Sequence, residues 1–392
     1  GGRMSTDSAS PYSFPEWHAL IWPEADKPPP DAWLSQGLAF DTGLGLPQHA
    51  NGPCGVLAAF HAALIARCHR SKIFSFFTQG PSFSPSLDLV VATIADILLQ
   101  ASYAAAAPGP SSVVQLAAWM GNPGGDVRVQ ELVIGHDEAG RESLEAALAE
   151  PETANSFLGP GGSVLLVYSL VLTRGLDGVT ADMGAETGVV EGPLVVGRNN
   201  ICSMELVSLV LCGEARGNIS AYHSTSQIKQ SAWARDGSRV GLGVGMLSLS
   251  ERETKQPLAD DLKSPSLPVW VVHGGDHFTV LFSSEPPCSV DDPYPIIAGG
   301  STATLHHYNG LPPSGPRMAT LVLTSPGSAV PPAPATMKES YVKPLTGEVD
   351  GVVQAHPTDK ASAPGAWETW RYEVVLAVEE EDDAVEGGAN PK

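Results

Sequence analysis

The sequence is poor in cysteine and in long apolar runs. The five cysteines among 392 residues are odd in number and show no paired spacing, so neither a disulfide framework nor a zinc site is expected. No basic, apolar leader opens the chain, and no apolar run reaches the roughly 18 to 20 residues of a membrane span. These shortages predict a globular protein of a reducing compartment, which is the cytoplasm and could include the nucleus. No membrane partner, metal or cofactor is expected.

Basic residues are scarce as well. The 22 lysines and arginines face 43 acidic residues, which gives a net charge of −21. A surface of that sign repels phosphate backbones, so nucleic acid is not an expected partner. Part of the acidity lies in residues 379–383, a charge run typical of a solvated end, and we assign it no function.

Glycine and proline, by contrast, are abundant, with 41 and 34 residues. Long loops are therefore predicted, mainly over 78–86, 107–126 and 325–366. Helical patterns over 54–70, 89–104, 163–174 and 203–212 mostly precede the β-rich segments, which are 127–134, 269–272, 277–282, 302–308, 319–323 and 370–378. Helices first and sheet afterwards is an α+β order.

The predicted organisation has five parts. An N-terminal segment covers residues 1–37, and its first three residues precede Met4 like a cloning remnant. A catalytic domain covers 38–323 and is followed by a Pro/Ala/Ser-rich loop or insertion over 324–366. Residues 367–378 are predicted to return to the domain as a strand, and 379–392 form an acidic, disordered tail.

The most informative stretch is QHANGPC, residues 48–54, which leads directly into an apolar helical run. It places Cys54 where a turn meets a helix, and the unpaired N–H groups there favour a thiolate over a thiol. Gln48, six residues earlier, offers an amide donor for a developing oxyanion. Taken alone, a cysteine before an apolar helix is more often a small buried hydrophobe.

The best candidate for a base is His277, which opens a predicted strand after a Gly-Gly turn. Glutamine, cysteine on a helix start and a distant histidine on a strand is the papain-like order, with the nucleophile on a helical lobe and the histidine on a β-rich lobe. By itself His277 would more often be a structural histidine. The residue that orients it stays open: Asp276 points to the opposite strand face, and Asn309 precedes Gly310 in what reads more simply as a hairpin turn.

Two weaker motifs are set aside. His273 and His277 have the spacing of a metal pair on a helix, but the glycines between them make a helix improbable there, and zinc is not expected. The glycines at 241, 243 and 245 resemble a dinucleotide loop only superficially, because the third glycine comes one residue too early.

Three blocks in the right order, 48–59, 162–217 and 268–283, resemble the MINDY family of deubiquitinating cysteine proteases, most closely its longer-sequence branch. The similarity spans about residues 38–323. This resemblance implies that Cys54 is the nucleophile, His277 the general base and acid, and Gln48 the oxyanion donor. It also implies hydrolysis of isopeptide bonds in polyubiquitin chains, with a preference for the linkage that directs proteins to the proteasome, and hence ubiquitin and polyubiquitin as partners.

Two alternatives stay open at this stage. Gly274-Gly275-Asp276 replaces the more commonly polar or acidic family neighbours of the histidine, so the protein could be a catalytically silent ubiquitin-binding protein of the same fold. The same cysteine and histidine could also serve an acyltransferase or peptidase that acts on another substrate.

Overall fold

The computed structural model describes residues 16–40, 45–73, 84–105, 110–184, 190, 192–216, 242–248, 262, 265, 267–274, 277–283, 302–311, 318–324 and 371–376. The fold is mixed helix and sheet, as the sequence predicts. The helices are α1 (Glu16–Ile21), α2 (Asp31–Leu34), α3 (Cys54–Arg70), α4 (Leu87–Ala105), α5 (Glu138–Ala149), α6 (Pro151–Leu158), α7 (Gly162–Arg174), α8 (Leu176–Met183) and α9 (Met204–Cys212). The strands are β1 (Ser111–Trp119), β2 (Val127–Gly135), β3 (Val195–Val196), β4 (Ile201–Cys202), β5 (Gly245–Ser248), β6 (Val269–His273), β7 (Phe278–Ser283), β8 (Thr302–Tyr308), β9 (Met318–Thr324) and β10 (Arg371–Leu376).

Six strands form the main sheet, in the order β10-β9-β8-β7-β6-β5. Neighbouring strands are antiparallel except β5 and β6, which run parallel. β6 is apolar on both faces, because its first four residues are all buried. The strands β1 and β2 form a separate antiparallel hairpin, and β3 pairs with β4.

Helix α3 is the centre of the core. It contacts β6 and β7 on the sheet and also α4, α7, α9 and β4, so almost every residue from Cys54 to His69 is buried. Small alanines on several faces, with Phe60 and Leu64 between them, let these neighbours approach the helix closely. A helix that is apolar on all sides is typical of such a fully enclosed position.

A buried carboxylate joins three of the helices. Asp96 of α4, whose side chain is 4% exposed, forms ion pairs with Arg67 and Arg70 of α3 and with Arg141 of α5. Arg70 also donates a hydrogen bond to the Leu242 carbonyl oxygen at 2.8 Å. Removing one partner of such a network leaves an uncompensated buried charge, so these side chains hold α3 in a fixed position relative to its neighbours.

Helix ends follow the sequence signals closely. Ser203 accepts a hydrogen bond from the Leu206 amide at 3.2 Å and caps α9, which ends before Gly213 at a φ of 76°. Gly175 ends α7 and also has a positive φ, 82°, but its ψ of 141° lies outside the left-handed helical region. The helices predicted at 54–70, 163–174 and 203–212 are confirmed, as is the strand predicted at 127–134.

The structure differs from the sequence predictions in three places. Part of the predicted loop at 107–126 forms β1, whose residues alternate only partly between the two faces. Helix α4 is 19 residues long and apolar enough for a membrane span, whereas no apolar run of that length was expected from the sequence. Its most apolar stretch is 78% buried inside the protein, however, as expected of a core helix. Ile21, Trp22 and Trp33 belong to the core, although the predicted domain boundary at residue 38 excludes them.

Other predictions fall outside the described residues. They are the segments 325–366 and 379–392, most of the loop at 78–86, and the residues Asp276 and Cys288.

The buried histidine of α3 predicts a pH dependence of stability. His61 is 1% exposed, and burial lowers its pKa from 6.5 to about 3. Below about pH 6.5 the unfolded chain takes up a proton on this histidine that the folded protein does not. The free energy of unfolding therefore decreases as the pH is lowered, by roughly 2 kcal/mol at pH 5 for this group. We expect urea denaturation midpoints to drop between pH 7 and pH 5, and to drop less in His61→Phe.

The exposed His49 provides the control. His49→Gln should keep the full pH dependence of the unmodified chain. A His61→Phe variant with an unchanged pH dependence would contradict a neutral, buried His61.

Candidate active site

Cys54 is the first residue of α3, and its backbone is fixed by a tight turn. Gly52 has a φ of 135°, and a Cβ at this position would lie 2.9 Å from Trp33 Nε1 and 3.3 Å from the Asn200 carbonyl oxygen. Trp33 Nε1 itself donates to that oxygen at 2.8 Å. Only glycine tolerates both the positive φ and this close approach. The side chain of Cys54 is 3% exposed, and its Sγ lies 3.9 Å from the Gly52 carbonyl oxygen.

Gln48 is held at both its backbone and its side chain. Its backbone amide donates to the Gly310 carbonyl oxygen at 3.0 Å, and its Nε2 donates to the Ala50 carbonyl oxygen at 2.7 Å. The buried Gln36 braces the same segment, since its Nε2 donates to the Pro47 carbonyl oxygen at 3.1 Å and its Oε1 accepts from the His49 amide at 3.2 Å. An amide nitrogen carries two hydrogens, so the bond to Ala50 orients Gln48 and leaves a second donor.

His277 forms a hydrogen bond with Asn309, the residue that the sequence left open. His277 Nε2 lies 2.8 Å from Asn309 Oδ1, which also accepts from the Leu311 amide at 3.0 Å. The backbone donor identifies this Asn309 atom as the oxygen, and an amide oxygen only accepts. The proton of a neutral His277 therefore sits on Nε2, which leaves Nδ1 able to accept a proton.

The antiparallel pairing of β7 and β8 explains how these two residues meet. His277 immediately precedes β7, Asn309 immediately follows β8, and Val280 pairs with Tyr308 in the register. The start of β7 and the end of β8 therefore share one edge of the sheet. Strand β8 ends at Tyr308 and β9 begins at Met318, so Asn309-Gly310 is not the two-residue hairpin turn that the sequence suggested.

A small cavity, partly open to solvent, connects these elements. Gln48 and Cys54 line it, together with Phe278, which follows His277, and with Tyr308 and Gly310, which flank Asn309. The structure thus brings Gln48 and Cys54 to one cavity and places the sheet edge with His277 at its border. The other lining residues are Leu46, Leu57, Ala58, His61, Thr279 and Val280. Among the described lining residues none is acidic.

Two other histidines, His61 and His273, lie near the cavity in surroundings that favour a structural role. His61 lines it, but a pKa lowered by burial to about 3 makes it a poor proton acceptor at neutral pH. His273 Nδ1 lies 2.9 Å from Ser248 Oγ, and its ring stacks on Phe278 with centroids 4.6 Å apart. Within the described part of the chain no group of three or more His, Cys, Asp or Glu residues is gathered as a metal site would require.

A cysteine at the start of a buried helix, a glutamine beside it and a histidine bonded to an asparagine on the adjoining sheet are features typical of a cysteine hydrolase. The family model "Deubiquitinating enzyme MINDY-3/4, conserved domain" matches residues 18–314. The chain therefore belongs to the MINDY-3/4 family, which confirms the resemblance noted in the sequence.

Several curated relatives carry the same family names. The chain is 28% identical to the probable ubiquitin carboxyl-terminal hydrolase MINDY-4 of Xenopus tropicalis over 269 residues, 64% of this chain and 34% of that protein. It is 28% identical to human MINDY-4 over 272 residues, 65% of this chain and 34% of that protein. Human MINDY-3 is 26% identical over 284 residues, 64% of this chain and 60% of that protein. The chain thus spans about a third of the MINDY-4 relatives, and no solved structure gives a significant match.

The bond between His277 and Asn309 predicts the tautomer of the imidazole. In the unmodified protein above its titration range we expect His277 to be protonated on Nε2, as seen in the ¹⁵N shifts of a long-range ¹H–¹⁵N spectrum. Asn309→Ala removes the acceptor, so the two tautomers should become mixed. Asn309→Asp keeps an acceptor and should keep the Nε2 tautomer.

His307, whose Nε2 bonds to Thr279 Oγ1 at 2.8 Å, serves as the internal reference, and its shifts should not change in either variant. Equal tautomer populations of His277 before and after Asn309→Ala would contradict the orienting role of Asn309.

Proposed function

We propose that this chain is a deubiquitinase, a cysteine isopeptidase that hydrolyses polyubiquitin chains, with Cys54 as nucleophile, His277 as general base and acid, and Gln48 as oxyanion donor. The observation that carries the proposal is the shared cavity, which Gln48 and Cys54 line and which the His277–Asn309 edge of the sheet borders. Membership of a family named for deubiquitinating enzymes supplies the substrate class. The residues matched by the family model include all three proposed catalytic positions.

The proposed reaction begins with a proton transfer. The Cys54 thiol gives its proton to His277 Nδ1, the ring nitrogen that the Asn309 bond leaves as an acceptor. The thiolate, which the start of α3 favours, then attacks the isopeptide carbonyl carbon. The carbonyl oxygen becomes an oxyanion, and the second N–H of the Gln48 amide donates a hydrogen bond to it.

Collapse of this intermediate breaks the carbon–nitrogen bond. The His277 imidazolium gives its proton to the departing lysine amine, and the ubiquitin carboxyl end stays on Cys54 as a thioester. A water molecule then loses a proton to His277 and attacks the thioester carbon, which releases the carboxylate and restores the thiol. The small glycine residues at the end of ubiquitin would need less room beside Cys54 than a bulkier segment.

A preference for the linkage that directs proteins to the proteasome belongs to the same proposal, and its support is family likeness alone. A panel of diubiquitins of all linkages, incubated under one condition, measures it directly.

The central experiment uses ubiquitin with an electrophile in place of its terminal carboxylate. We expect a covalent adduct with the unmodified chain and none with Cys54→Ala, because the thiolate is the attacking atom. Cys212→Ala, at the half-buried end of α9, should still form the adduct. Polyubiquitin cleavage, followed by gel electrophoresis, should also disappear in His277→Ala.

The outcomes separate the alternatives. Binding of the probe without an adduct and without cleavage would favour a silent ubiquitin-binding protein. Reaction with small acyl donors together with indifference to ubiquitin would favour another acyl-transfer substrate. An adduct that persists in Cys54→Ala would refute the proposed nucleophile.

Gln48→Ala should lower kcat about 100- to 1000-fold with little change in KM, because an oxyanion donor acts mainly in the transition state and its loss costs roughly 2.7 to 4 kcal/mol. Thermal unfolding should change little. Gln36→Ala is the matched comparison, because the Gln36 side chain bonds to the backbone of Gly37, Pro47 and His49, and this substitution should reduce stability. Equal losses of stability and turnover in Gln48→Ala would make Gln48 a structural residue.

A further inference from the structure

A second cysteine contacts the backbone on both sides of Cys54. Cys202, the last residue of β4, has its Sγ 3.6 Å from the carbonyl oxygen of Gly52, two residues before Cys54. The backbone N–H groups of Gly55 and Val56, the next two residues after Cys54, face the same sulfur and act to lower its pKa, against the larger effect of burial. One thiol therefore joins the turn that leads to the proposed nucleophile with the first turn of the helix that follows it.

Close packing around Gly55 supports this contact independently. A Cβ on Gly55 would lie 2.8 Å from Cys202 Cβ, 3.1 Å from Cys202 Sγ and 2.6 Å from Val207 Cγ2. Real Cβ atoms do not approach neighbouring atoms so closely, so only glycine lets Cys202 sit against the helix backbone. Glycine is therefore required directly after Cys54, because the Cys202 side chain leaves no room for a Cβ there.

Helix α3 also needs an acceptor at this end. The first N–H groups of a helix have no partner within the helix, and a side chain at the N-cap usually supplies one. The N-cap of α3 is Pro53, which has no side-chain hydrogen bond. The Cys202 side chain, about 150 residues further along the chain, packs against this uncapped helix start, and the Gly55 and Val56 N–H groups face its sulfur.

We propose that Cys202 is a positioning residue for Cys54, which holds the turn before it and the helix start after it so that the Cys54 sulfur stays on the cavity side. This inference rests on the proposed function only in taking Cys54 as the nucleophile. Cys202 is not itself a nucleophile, because it is 4% exposed and does not line the cavity.

Electrostatics give the two sulfurs different roles. Burial, and then the negative charge on Cys54, raise the pKa of Cys202 well above its usual value. Cys202 therefore stays a neutral thiol, and the helix end does not have to stabilise two anions. Its sulfur nevertheless occupies two N–H groups that would otherwise be available to the Cys54 thiolate.

The test measures how the alkylation of Cys54 depends on pH, and it needs no ubiquitin. Iodoacetamide alkylation of the full chain is followed by mass spectrometry of the peptide that contains Cys54, between pH 5 and pH 10. In Cys202→Ala the Gly55 and Val56 amides become available to the Cys54 thiolate, so we expect the midpoint of alkylation to fall by about half a pH unit. Cys202→Ser keeps a donor and an acceptor and should restore the original midpoint.

Cys68→Ala is the matched control, because Cys68 is another buried cysteine of α3, near its opposite end. It should reduce stability without moving the Cys54 midpoint. If Cys202→Ala does not fold, Cys202→Val fills the same space without a hydrogen bond and should show the same shift. A midpoint that stays in place in the Ala or Val variant would overturn the proposal.

Turnover provides a second readout. With a fluorogenic ubiquitin substrate we expect kcat to fall in Cys202→Ala while KM changes little, because the thiolate is drawn away from His277, and we expect Cys202→Ser to recover most of the loss. A KM increase with kcat unchanged would contradict the positioning role. If the unmodified chain shows no turnover at all, the proposed function fails, and the alkylation profiles still decide the role of Cys202.

Discussion

The junction between the turn at Gly52 and the start of α3 is the constraint on which the site depends. Three separate parts of the chain press against it: Trp33, Asn200 and Cys202. Their close approach explains the two glycines at 52 and 55, since neither position has room for a Cβ. A cysteine thiolate is useful only when its direction is fixed, and here the backbone on both sides of Cys54 is fixed by tertiary contacts rather than by local caps.

The sheet supplies the other half of the site through a short loop with two functions. Asn309 holds the imidazole of His277, and the carbonyl oxygen of the next residue, Gly310, accepts the backbone amide of Gln48. A Cβ on Gly310 would lie 2.8 Å from the Leu46 carbonyl oxygen, so the Asn-Gly pair reflects close packing and not a simple turn. The same loop thereby sets the positions of the proposed base and the proposed oxyanion donor relative to one another.

Rigid packing behind the site keeps these two halves together. Helix α3 contacts both β6 and β7, and the Asp96 ion pairs anchor its far end to α4 and α5. The helix that begins at Cys54 and the strand that follows His277 are therefore in direct contact and share one core. The chain belongs to the MINDY-3/4 family and spans about a third of the length of its MINDY-4 relatives.

The sequence by itself determined the elements whose signals are local. The apolar period and the residues at helix ends identify α3, α7 and α9, and β-branched runs identify most strands of the main sheet. It also identified Gln48, Cys54 and His277 as candidates; Gln48 and Cys54 line one cavity, together with Phe278, the residue after His277. Strand β1 was missed because its glycine-rich and alanine-rich surroundings read as a loop.

Only the tertiary structure decided the partners of these residues. Asn309 bonds to His277 because β7 and β8 are antiparallel neighbours, and Cys202 contacts the start of α3 because β4 packs against it. Both contacts join residues far apart in the chain. Residue spacing and composition do not predict which of these residues come into contact. Their contacts depend on strand register and on packing, which are set by many long-range interactions together.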